Sequence, residues 1–149
     1  MELALDQALK KGIEAHKAGQ LNEADRYYTA ILKAHPEHPD ANHNMGVLAV
    51  GVGKVQEALH FFNKAIDANP RVAQFWFSYI EVLIKIGRLT DAKSALNQAK
   101  SIGISHPAQD ELLKKINEDL MKAPITKTHR NSNSSNPSEQ QLKKLMKLY

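Results

Sequence analysis

Cysteine is absent from the chain, which excludes disulfides and thiolate chemistry and removes the usual ligand of closed structural zinc sites. No apolar run approaches the roughly 18 residues of a membrane-spanning helix. The opening MELALDQALKKG sets acids into an amphipathic pattern. It lacks the basic start, apolar block and small-residue cleavage site of a secretory leader. These absences point to a cytoplasmic protein that does not engage a membrane. Enzyme signatures are missing too: there is no Gly-x-Ser-x-Gly, no His-Glu-x-x-His and no carboxylate pair in a catalytic context.

Two stretches invite a chemical reading and fail it. GVLAVGVGKV, from Gly46 to Val55, is rich in glycine, but Gly53-Lys54 is followed by Val55, which has no hydroxyl for magnesium. Leu48 stands where a phosphate loop needs its first glycine. HPEHPDANH gathers His35, His38 and His43 near Asp40. Structural zinc needs four closed ligands, usually with cysteine, and the prolines mark an ordinary turn. We therefore expect no catalytic residue, no metal and no cofactor.

The net charge of +4 is unevenly spread. Residues 1–121 hold 14 Lys and Arg against 15 Asp and Glu; residues 122–149 hold 6 basic residues and only Glu139. The basic balance belongs to the tail. The body of the chain is nearly neutral, so it offers no charged footprint for nucleic acid.

What the chain does have is a period. LNEADRYYTAILKAHP, VQEALHFFNKAIDANP and LTDAKSALNQAKSIGI align with Ala24, Ala58 and Ala92 each 34 residues apart. Gly19, Gly53 and Gly87 keep that spacing, as do Leu21, Val55 and Leu89, and Pro36 and Pro70 differ by the same step. Gly12 and Gly46 are expected inside first helices at close helix contacts, because glycine costs a helix about 1 kcal/mol relative to alanine and packing must offset it. Gly19, Gly53 and Gly87 suit a left-handed turn. Asn22 and Thr90 are expected to cap second helices. Ala24, Ala58 and Ala92 are small where that helix crosses the first, and Tyr28, Phe62 and Leu96 fill the space between units. Pro36 and Pro70 end second helices. Gly51 fits neither the contact role nor the turn role.

This 34-residue helix–turn–helix pattern resembles the tetratricopeptide repeat (TPR) family over about residues 5–104. The departures are local: Ala8 where an aromatic is frequent, Ile31 where alanine is usual, and Gly103 in place of a proline. The expected fold is an all-α TPR solenoid of three repeats, about 5–38, 39–72 and 73–106, in a right-handed superhelix. A capping helix follows at about 107–121, with Leu112, Leu113, Ile116 and Leu120 on one face and charge on the other. Seven helices are expected within 3–121. Residues 122–138, rich in Ser, Asn and Pro, read as a flexible linker. Residues 139–149 carry an apolar stripe of Leu142, Leu145, Met146 and Tyr149, a short amphipathic helix that resembles the start of a further repeat.

The resemblance implies a binding module, not an enzyme. Its first helices would line a concave groove with Lys10, Ile13 and Lys17, then His43, Asn44, Val47 and Val50, then Gln74, Phe77, Ser78, Glu81 and Lys85. Trp76 and Tyr79 should be core, while Phe77 should point toward the groove. Such a mixed surface suits a peptide or protein segment, with Asn44 placed to grip a backbone amide. TPR domains that clamp the acidic C-terminal tail of a chaperone carry paired Lys, Asn and Arg. Here the equivalent places hold Leu9, Ile13, Asn44, Gln74 and Ser78, so such tails should not bind tightly. Asn44 also resembles a rung of the asparagine ladder in O-linked N-acetylglucosamine transferases, although Lys10 and Ser78 stand where a ladder would continue. HPDANHNMGVLAV resembles bacterial proteins whose TPR units precede a glycosyl-, sulfo- or methyltransferase domain, which implies a targeting arm as an alternative. A third expectation is homo-oligomerisation through residues 139–149.

Overall fold

A computed structural model of the protein describes residues 2–122. The expected helix at 139–149, and all of the expected linker but Lys122, lie outside the described residues. Seven helices and no strand occur among the described residues: α1 Glu2–Lys17, α2 Leu21–Ala34, α3 Pro39–Gly51, α4 Val55–Ala68, α5 Ala73–Lys85, α6 Leu89–Ser101 and α7 Gln109–Lys122. The described residues divide into two compact units, one up to Pro70 and one from Arg71 onward. The first holds the hairpins α1/α2 and α3/α4. The second holds the hairpin α5/α6 and then α7, which packs on α6.

One turn joins the two helices of every hairpin. Gly19, Gly53 and Gly87 have φ of 79°, 87° and 82°, a region that suits a residue without Cβ. In the first turn the Gly19 N–H donates to the His16 carbonyl at 3.0 Å and the Gln20 N–H to the Ala15 carbonyl at 2.8 Å. That pairing satisfies carbonyls left open at the helix end. The residue after each glycine then opens the next helix, because the carbonyls of Gln20, Lys54 and Arg88 accept from Ala24, Ala58 and Ala92, all at 3.0 Å. This corrects the expected caps. Gln20, Lys54 and Arg88 hold the N-cap places without a capping bond from the side chain, and Asn22 and Thr90 lie inside α2 and α6. The residue closing one helix is the residue opening the next, so no place remains for a capping side chain at Asn22 or Thr90. Gly103, at φ 89°, repeats the same turn after α6.

Inside each hairpin of the first unit, a glycine faces an aromatic ring. A Cβ placed on Gly12 would lie 2.7 Å from Tyr28 Cε1, and one on Gly46 would lie 2.5 Å from Phe62 Cε1. Tyr28 and Phe62 thus pack onto the first helix of their own hairpin. Burial pushes the Tyr28 hydroxyl pKa up, and His16 Nδ1 lies 3.3 Å from that hydroxyl. Around them, Ala15, Ala24, Tyr28, Met45 and Leu48 form a buried cluster joined by Leu9, Leu21, Leu32 and Phe61. In the second unit the corresponding residues are Ile80 and Leu96, both buried. Ala24, Ala58 and Ala92 are fully buried, as their small size at the helix crossing requires.

Histidine and amide side chains fasten the turns between hairpins. His38 Nδ1 accepts from the Ala41 N–H at 3.1 Å and caps α3, with Pro39 in the first turn. Asn42, almost wholly buried, donates to the carbonyls of Pro36 and His38, both at 3.0 Å. The second unit repeats the device. His106 Nδ1 accepts from the Ala108 N–H at 3.0 Å, and buried Gln109 donates to the Ile104 carbonyl at 3.3 Å.

Candidate functional site

The candidate residues of the first unit sit on α1 and α3, which touch each other. Lys10 and Lys17 are exposed on α1, with Ile13 half-buried between them. On α3, Val47 is 38% exposed, an apolar side chain open to a partner. Asn44 and Val50 are half-buried beside it. The arrangement offers apolar area, one amide at its edge and two exposed cations.

His43 has a second allegiance. It is half-buried and its ring lies 5.5 Å from that of Phe62, tilted by 41°. Burial lowers its pKa, while a side-chain hydrogen bond with Asn44 and the charge of Asp40 act in the opposite direction. The imidazole therefore favours its neutral form. It helps hold the Phe62 ring in place as well as meeting the surface.

In the second unit α5 departs from expectation at two positions. Phe77 is buried, with 4% of its surface exposed, and its ring lies 4.4 Å from that of His106. It does not present an apolar anchor to solvent, because the residue that caps the segment before α7 covers it. Ser78 is also buried and accepts a hydrogen bond from Gln74 Nε2 at 3.1 Å. Gln74, Glu81 and Lys85 are exposed. Trp76 is buried as core and Tyr79 is half-buried.

Reasoning from sequence passed over His38, Asn42, His106 and Gln109 as structural residues. A signal was available, since His38-Pro39 and His106-Pro107 are separated by two 34-residue steps. The zinc reading of His35, His38, His43 and Asp40 loses a ligand atom, because His38 Nδ1 is engaged by the Ala41 amide. No group of three His, Cys, Asp or Glu side chains among the described residues is placed to hold a metal. A shallow cleft of about 570 Å³ opens beside this turn, lined by Leu5, Asp6 and residues 34–39. Among the described residues no helix is long and apolar enough to cross a membrane.

Antiparallel helix pairs joined by glycine turns define the class: a helical repeat protein. Residues 49–116 match the family model described as "Tetratricopeptide repeat", and the fold is shared with solved proteins of that kind. The first TPR of Spaghetti (RPAP3), bound to the HSP90 peptide SRMEEVD, is 20% identical with a TM-score of 0.70, covering 78% of this chain and 93% of that one. The TPR2B domain of yeast Sti1 in complex with pHsp70 is 21% identical with a TM-score of 0.70, covering 78% and 98%. The Yersinia enterocolitica type III secretion chaperone SycD, in complex with a peptide of the translocator YopD, is 19% identical with a TM-score of 0.66, covering 83% and 95%. At these identities the likeness is one of fold. No curated protein sequence is significantly similar to the chain.

Proposed function

We propose that the protein is a non-catalytic interaction scaffold, which holds a peptide or protein segment on the face made by α1 and α3. The supporting observation is Val47, an exposed apolar side chain between half-buried Asn44 and Val50, on a helix touching the one that carries Ile13, Lys10 and Lys17. Apolar area there supplies attraction, Asn44 pairs with a main-chain amide, and the lysines select for acidic side chains in the partner. Two of the structural relatives described above, the first TPR of Spaghetti and SycD, were solved with peptides, which favours the reading.

The site is ill suited to an acidic chaperone tail. Leu9 packs into the buried cluster and Ile13 is half-buried, so neither place holds a cation. These two places lack the charge-assisted donors that a clamp for a C-terminal carboxylate needs, which leaves Lys10 and Lys17 to single acidic side chains. The peptide SRMEEVD is expected to bind with a Kd above about 100 μM, and submicromolar affinity in calorimetry would overturn this. The scaffold reading itself is tested by selecting short random peptides on the chain and measuring them by fluorescence anisotropy. Val47→Asp should weaken the best of them about tenfold or more. Unchanged binding would remove the α1/α3 face as the site.

A further inference from the structure

Asn44, Val47 and Gly51 lie on α3 in the same register as Lys10, Ile13 and Lys17 on α1 and as Ser78, Glu81 and Lys85 on α5, each set 34 residues from the next. The stripe ends in lysine on α1 and α5, but in glycine on α3. Gly51 is not the turn glycine, because Gly53 has that role with its positive φ. Nor is it a packing glycine: a Cβ placed on it would meet nothing within 4 Å, whereas one on Gly12 or Gly46 would strike a ring. A glycine in a helix lowers its stability relative to alanine or lysine, and nothing in the fold of the first unit calls for one here. What it leaves is bare, exposed backbone at the end of that stripe, with exposed Val47 one turn before it and half-buried Val50 beside it.

Charge gives that stripe a direction. The places one turn before Lys10 and Asn44 are held by Asp6 and Asp40, both exposed. The place matching Gly51 on the touching helix α1 is held by exposed Lys17. An acidic group in a partner is repelled at the Asp end and favoured at the Lys end. We propose that Gly51 is a specificity-determining position: the bare last turn of α3 receives a large apolar side chain of an extended peptide, and an acidic residue next to it in the peptide pairs with Lys17. The proposal rests on the peptide-binding reading and adds the end of the face, the size of the anchor and the charge beside it.

The test uses a fluorescent peptide selected on the wild-type chain from a random library, with Gly51→Lys, Gly51→Ala and Val47→Asp as variants. Gly51→Lys installs the residue that α1 and α5 carry in this register. It is expected to raise the melting temperature by about 3 °C while weakening the peptide about tenfold or more. Gly51→Ala should lie between. Replacing the peptide's large apolar residue by alanine should weaken binding to the wild type but not to Gly51→Lys, which ties that side chain to this position. Selected peptides should carry an acid beside it, and Lys17→Ala should erase that preference. If Gly51→Lys melts higher yet binds unchanged while Val47→Asp abolishes binding, the face stands and the role of Gly51 is overturned. If Val47→Asp is also silent, or no peptide is selected, the peptide-binding reading falls with it.

Discussion

The two compact units solve one packing problem in different ways. In the first, Gly12 meets Tyr28 and Gly46 meets Phe62, so a first helix with no side chain receives a full aromatic ring from the second. In the second unit, the same two register places hold Ile80 and Leu96, both essentially without exposure. The aromatic has shrunk and the glycine has grown. The lesson is that a ring against a bare helix and two branched aliphatic side chains are alternative ways to fill the same two places, since protein interiors are close-packed.

The largest effects should come from breaking one half of such a pair. Ile80→Gly is expected to destabilise the protein by about 4 kcal/mol, from the lost side chain and the helix cost together. Gly46→Ile should destabilise by about 3 kcal/mol, because its Cβ alone would overlap the Phe62 ring. Urea unfolding measures both. The comparison is sharpened by moving the second unit's solution into the first: Gly46→Ile with Phe62→Leu should recover at least about 1 kcal/mol over the sum of the single changes. Strict additivity would show that the two places do not share one volume.

A smaller effect separates the two kinds of helix start. His38→Ala should cost about 1 kcal/mol by removing the acceptor for the Ala41 amide, and His38→Asn should keep most of it. Asn22→Ala and Thr90→Ala should change stability by no more than about 0.5 kcal/mol, since neither caps a helix. A cost of a full cap at either would reinstate the sequence expectation.

The mildest contrast is a slope with pH. His43 resists protonation in the folded state through burial, whereas in the unfolded chain it takes a proton near its ordinary pKa of 6.5. The unfolded state therefore binds more protons once the pH falls below that value, and acid favours unfolding. The unfolding midpoint should drop from pH 7 to pH 5, and His43→Leu should make that drop smaller. An unchanged drop would leave the acid sensitivity to other groups.

Features that repeat were the ones legible in the sequence. The 34-residue step, the turn glycines and the contact glycines recur because each serves a local backbone or contact requirement in its hairpin. Asn22 and Thr90 misled because capping was judged from residue type, while the turn geometry had already assigned the cap place to Gln20 and Arg88. Phe77 misled for a different reason. Its register on α5 faces outward, but His106, 29 residues further along the chain, lies against it. A contact of that kind belongs to tertiary packing and leaves no trace in the period. For the candidate site, exposure followed register at Lys10, Lys17, Val47, Gln74, Glu81 and Lys85, where no distant segment intervenes.

The exchange at Ile80 and Leu96 also bears on how such chains are recognised. Read one column at a time, the second unit lacks both the glycine and the aromatic of the first. The physics registers no fault, because each deviation cancels the other. Information about the interior is carried by couples of positions, and a repeat that looks degenerate column by column can be sound when its columns are read two at a time.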